Sequence, residues 1–205
     1  MLRIVLLLAV IGHMLCGICD CLLSYTPKGR IDLTCIKDPA KMRKEFEHMP
    51  LSYPLTSVIL GTFAILMFGF GYIALSRWVY DYSPAAGTVM LIASIAFLVV
   101  IVVHHVICGF VEWFYVKMGR TAEAGEAVLT FQKQTISTMI VGYLALLVFL
   151  VTLFVVVVTG KTDLPRWACF CNTVPFFLLM APTKIPAKGN VAGALMWLGL
   201  LILLW

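Results

Sequence analysis

Six apolar stretches, at about 2–23, 55–76, 85–113, 137–159, 166–182 and 190–205, take up most of this 205-residue chain. Crossing roughly 30 Å of hydrocarbon takes about 20 apolar residues at 1.5 Å each. Only helices or closed barrels satisfy every backbone polar group there. The stretches therefore predict an all-α fold, an integral membrane six-helix bundle. Composition agrees: 62% of residues are hydrophobic and 12% are charged, against about 25% charged in soluble domains. The polar remainder is too short for a second domain, so residues 1–205 are expected to form one transmembrane domain. The last stretch is short and needs to start near Ala187, with local thinning of the bilayer, to cross.

The basic residues predict orientation. Eleven of the fifteen Lys and Arg fall between stretches 1 and 2, 3 and 4, and 5 and 6, among them Arg30, Lys37, Arg120 and Lys188. Arg3, Arg77, Lys161 and Arg166 fall on the other side. The positive-inside rule puts the richer side in the cytoplasm of a plasma-membrane protein, with both termini outside. Trp78, Tyr82, Trp113, Trp167 and Trp205 sit at the ends of stretches, where aromatic belts form. The net charge of +5 is thus a signature of topology. The bilayer is the expected partner and nucleic acid is not, since no aromatic-interleaved basic patch is present. Arg3 and Ile4–Ile11 resemble a signal peptide, but no small-residue cleavage site follows, so retention is expected.

One pattern occurs twice. His13-Met14-Leu15-Cys16-Gly17-Ile18-Cys19-Asp20 and His105-Val106-Ile107-Cys108-Gly109-Phe110-Val111-Glu112 share His-x-x-Cys-Gly-x-x-acid. On a helix these positions form a stripe about 100° wide. A Gly-Arg pair follows each copy, Gly29-Arg30 and Gly119-Arg120. The second and fourth stretches match more weakly, Thr56-Ser57-Val58-Ile59-Leu60-Gly61 against Ser137-Thr138-Met139-Ile140-Val141-Gly142. The pattern predicts a two-helix hairpin repeated in parallel, with the last two stretches as a diverged third copy.

Residues 24–54 are read as a cytoplasmic loop. In it, Asp38 suits an N-cap and Pro39 the first helical position. Met42, Phe46 and Met49 share a face, which suits a short helix at the membrane interface or a cap packed over the bundle. Ala124, Val128 and Phe131 offer a similar face after the third stretch.

Ionisable residues inside membrane helices are costly and usually face a protein interior. His13, Asp20, His104, His105 and Glu112 are therefore the candidates for a binding cavity, with Asn172 beside Pro175 on a kinked fifth helix as a third wall. The bland alternatives are packing histidines and carboxylates that reach water or pair with Arg30 or Arg120. His13, His104 and His105 are the candidate ligands of a divalent metal such as zinc. Positions i and i+7 lie about 10.5 Å apart along a helix, however, so one helix cannot offer His and acid to one ion. Cys16-Gly17-Ile18-Cys19 lies mid-helix, without the helix N-terminus or cation a redox thiolate needs. No H-E-x-x-H, G-x-S-x-G or P-loop occurs. The expected function is small-molecule binding or transport through a polar inter-helix cavity. An intramembrane metal-dependent enzyme and a structural, partner-binding subunit are the alternatives.

Taken together, Gly12-His13, Gly17, Asp20, Tyr25, His104-His105 and Glu112-Trp113 resemble a family of small bacterial multispan membrane proteins of unknown function. The resemblance covers most of the chain and implies a multispan helical fold. It carries no activity and no functional residue with it.

Overall fold

A computed structural model describes residues 2–32, 34–35 and 38–204, and Lys37 and Trp205 lie outside the described residues. The chain is all-α apart from a two-residue hairpin pairing Tyr25–Thr26 (β1) with Gly29–Arg30 (β2). Its helices are α1 (Leu2–Ser24), α2 (Pro39–Glu45), α3 (Ser52–Tyr82), α4 (Pro84–Lys117), α5 (Ala122–Gln134), α6 (Ser137–Val158), α7 (Thr173–Met180) and α8 (Lys188–Leu203). Among the described residues, four spans, running through α1, α3, α4 and α5–α6, are long and apolar enough to cross a membrane. They cover the first four predicted stretches to within one residue. Their outward faces are apolar, with Phe63, Ile92 and Leu144 about 60% exposed, as lipid-facing helices require.

The fifth stretch departs from expectation. Residues 166–182 hold a 3-10 turn (Arg166–Phe170) and the eight-residue α7 rather than one kinked helix. Asn172 turns the chain there: it is extended, and its side chain accepts from Val174 N at 3.1 Å, starting a new helix. Pro175 falls in the first turn of α7, where its missing N–H breaks no bond. At about 1.5 Å per residue α7 spans only 12 Å, too little to cross alone. α8, with 16 residues, starts at Lys188 and is the sixth predicted stretch shifted by two.

Neighbour follows neighbour around a closed ring: α8, α1, α3, α4, α6, then the 3-10 turn and α7, which returns to α8. Ser83 alone joins α3 to α4, extended at φ −147°, with Pro84 opening α4. Near that end the ring is filled. Tyr72 is fully buried, with the rings of Phe149, Trp197 and Phe97 centred 4.8, 4.9 and 5.3 Å away.

The opposite end carries a cap. Met42, Phe46 and Met49 are buried against Val111, Tyr115, Ala124 and Val128, so protein, not lipid, covers the apolar face of α2. Phe131 of α5 stays half exposed. Arg120, at φ 58°, donates from Nε to the Phe46 carbonyl at 2.7 Å and from Nη2 to that of Met49 at 2.9 Å. It closes the C-terminal end of α2, where unpaired carbonyls favour a cation. Asp38 caps the other end as expected, accepting from Ala40 N and Lys41 N. Asp32 holds the loop beside it: hydrogen bonds from Lys41 and then Thr34 bring its carboxyl down to about 2.

Candidate functional site: a half-ring cavity between α1 and α4

α1 and α4 do not lie against each other over most of their length. α3 separates them, and between them, beyond the aromatic plug, lies a cavity of about 850 Å³. Both copies of the repeated motif open into it. His13, Cys16 and Asp20 line it from α1, and His105, Cys108 and Glu112 from α4. His104 also lines it, so five of the six residues singled out from the sequence share one chamber. Asn172 is the exception. It is buried, donates to the Leu150 carbonyl at 2.9 Å and caps α7, a structural task that uses both ends of its amide.

The two histidines of the motif are seated alike. A Cβ on Gly193 of α8 would stand 2.6 Å from His13 Nδ1, and one on Gly61 of α3 would stand 2.0 Å from His105 Nε2. The motif glycines meet the residue three positions earlier on the same neighbours. Gly17 faces Asn190 Cβ at 3.5 Å, and Gly109 faces Val58 Cγ2 at 2.3 Å. Each imidazole thus occupies the space a side chain would fill, which is why glycine stands opposite it.

The bonding then diverges, because Asn190 and Val58 differ. His13 Nδ1–H donates to Asn190 Oδ1 at 2.9 Å, and Asn190 Nδ2 donates to Asp20 Oδ2 at 2.8 Å. One amide joins the two ends of the first stripe across a gap neither could span. His13 Nε2, thereby left with its lone pair, accepts from the Tyr72 hydroxyl at 3.5 Å and stacks on Phe68. In the second copy valine supplies no such bridge. Glu112 Oε2 is shut from solvent with no hydrogen-bond partner among the described residues. Arg120, one of the partners considered for it, is engaged with the Phe46 and Met49 carbonyls. His105 Nε2–H donates instead to the Ser57 carbonyl at 3.0 Å, while Ser57 Oγ donates to the Cys19 carbonyl. Thr138, which aligns with Ser57 in the weaker match, meets His104 Nδ1 at 3.2 Å.

The three histidines are therefore held by separate partners, and His13 and His104 do not join His105 at one point. Among the described residues, the side chains whose ligand atoms converge are Cys16, Asp20 and His105, all within 4.8 Å of one another. The model of a family of unknown function (DUF6796) matches residues 1–203. The chain belongs to that family. No curated protein and no solved structure matches it.

Sequence reading missed two organising residues of this DUF6796 cavity, Asn190 and Ser57. A signal was present for the first: asparagine in the opening turns of an apolar helix is costly unless another helix receives it. Ser57 carried none, since serine is common in membrane helices and its work here is done partly by its carbonyl.

Proposed function

We propose that this protein is a multi-pass membrane protein that binds a small amphipathic amine in the α1–α4 cavity without transforming it. The observation that carries the reading is the convergence of both motif copies on one chamber with a carboxylate oxygen left unpartnered. A shielded carboxylate without a partner is costly, and a cationic head offsets that cost. The rest of the wall suits an apolar body, with Ile65, Phe68 and Phe97 at its deep end. Between α6 and α7 the wall is incomplete, since Tyr143 and Leu178 line the cavity yet are 56% and 64% exposed. A chamber plugged by aromatics at one end and lined by Arg30, Gln132 and Lys188 towards the other has the form of a carrier at one stage of its cycle.

A fluorescent hydrophobic amine and its neutral N-acetyl counterpart test this on the full chain in zwitterionic nanodiscs. The amine should bind saturably, and Glu112→Gln should weaken it about tenfold or more, the worth of one charge-assisted hydrogen bond. Equal binding of the neutral probe, or indifference to Glu112→Gln, would overturn the reading.

We further read the ring as three parallel hairpins, α1/α3, α4/α6 and 166–182/α8. The matched seating of His13 on α8 and His105 on α3 supports this, each resting on the second helix of the hairpin before it around the ring. The charge bias supports a cytoplasmic α2–α5 end and outside termini. A lone cysteine at exposed position 47 (Glu47→Cys) in a cysteine-free background should react with an impermeant maleimide only after permeabilisation. Labelling in intact cells would reverse the orientation.

A further inference from the structure

We propose that Cys16, Asp20 and His105 form a three-ligand site for a divalent transition cation of the zinc class. The inference rests on the cavity being a binding chamber, and it adds a second occupant of different chemistry. Cys16 and Asp20 lie four residues apart on one face of α1, and His105 enters from α4, so the site spans the gap between two helices. Their ligand atoms lie within 4.8 Å of one another. Zinc bonds of about 2.0–2.3 Å set tetrahedral edges of roughly 3.3–3.8 Å, so the three close on an ion by shifts of about 1 Å.

The surroundings are those of a prepared ligand set. His105 Nε2 meets the Ser57 carbonyl at 3.0 Å, which orients the ring towards the gap between the two helices. Asp20 Oδ2 is held by Asn190 Nδ2 at 2.8 Å, while its second oxygen makes no hydrogen bond among the described residues. Metal-binding imidazoles and carboxylates are oriented by such outer contacts. An independent feature points the same way: Glu112 lines this chamber, and its Oε2 has no hydrogen-bond partner among the described residues, so a cation has a further carboxyl nearby. The mixed sulfur, nitrogen and oxygen set excludes calcium and magnesium as natural occupants, since both prefer all-oxygen shells. Three protein ligands and an open cavity leave the fourth position to water or a solute. Binding replaces the Cys16 thiol proton with the metal, and that proton leaves to solvent.

Cobalt(II) and zinc titrations of the full purified chain in detergent test the site. One equivalent of cobalt should give a thiolate-to-metal charge-transfer band and tetrahedral visible bands. Zinc should displace it. Cys16→Ser should abolish the charge-transfer band, while Cys19→Ser and Cys108→Ser retain it. Asp20→Asn and His105→Gln should each weaken zinc at least 100-fold, above the 10–100-fold usual for outer-shell losses. A band that survives Cys16→Ser, or no stoichiometric binding by a protein with wild-type thermal unfolding, would overturn the site. Amine binding on the same preparations separates the readings: retained amine binding with no metal removes this site alone, and loss of both removes the cavity.

Discussion

Gly12→Ala should be among the most damaging single-methyl additions to this protein, costing about 3 kcal/mol or more. A Cβ there would stand 2.7 Å from both the Ala64 carbonyl oxygen and the Phe68 amide nitrogen. Those are backbone atoms of α3, so no side chain can swing aside and the two helices must part. Overpacking a tight core costs about 1–3 kcal/mol even where side chains can adjust, so the upper end applies. At about 2–4 °C per kcal/mol for a chain of this size, thermal unfolding should fall by roughly 10 °C. His13 is the next residue, so the shift also displaces the cavity wall. Gly189→Ala is the control, because nothing lies within 4 Å of its added methyl. It should be neutral or slightly stabilising through helix propensity. Similar unfolding temperatures for the two variants would mean that α1 and α3 are not in backbone contact.

Asn190→Val should destabilise by about 2–5 kcal/mol. Two estimates compete. Hydrogen bonds between membrane helices average only about 0.6 kcal/mol by double-mutant cycles. Removing the amide, however, strands both His13 Nδ1–H and Asp20 Oδ2, and each stranded polar group costs about 1–3 kcal/mol. His13 is buried and Asp20 half-buried, so the stranding penalty outweighs the average bond. The natural comparison is Val58, which occupies the matching place opposite Gly109. Val58→Asn should be tolerated far better, because it would place an amide where the second copy matches Asn190, and Glu112 Oε2 has no partner among the described residues. Combining Asn190→Val with Asp20→Val supplies the decisive measurement. Once the carboxylate is gone the amide has less to hold, so the double variant should be at least about 1 kcal/mol milder than the sum. Additivity within about 0.3–0.5 kcal/mol would show that Asn190 does not bridge the stripe.

The four long spans through α1, α3, α4 and α6 were legible because length and apolar composition suffice to define a crossing helix. The repeated stripe was legible because helical periodicity alone puts His, Cys, Gly and acid on one face. Asp38 and Pro39 announced α2 through local capping chemistry. What covers the face of Met42, Phe46 and Met49 was open, since lipid and protein both accept apolar side chains. Residues 166–182 misled for a related reason. Hydropathy registers apolar content and not that Asn172 starts a new helix by capping Val174 N while its Nδ2 bonds across to the Leu150 carbonyl. His13, His104 and His105 have separate partners in Asn190, Thr138 and Ser57, and neighbours such as 104 and 105 point about 100° apart on a helix.

By itself, the sequence determined the class of the molecule, the stripe that faces inward and the identity of its ionisable groups. These follow from local periodicity and from the cost of polar groups in hydrocarbon, which act on any such chain whatever its neighbours. Only the tertiary structure decided the partners. Whether His13 meets a metal or an amide, and whether Cys16 and Asp20 approach His105, depends on which helix lies opposite and at what height. Glycine at 61 and 193 sets that height by making room for an imidazole, and asparagine at 190 against valine at 58 makes the two halves chemically unequal. Those are contacts between residues 44 to 180 positions apart, and no local rule relates them.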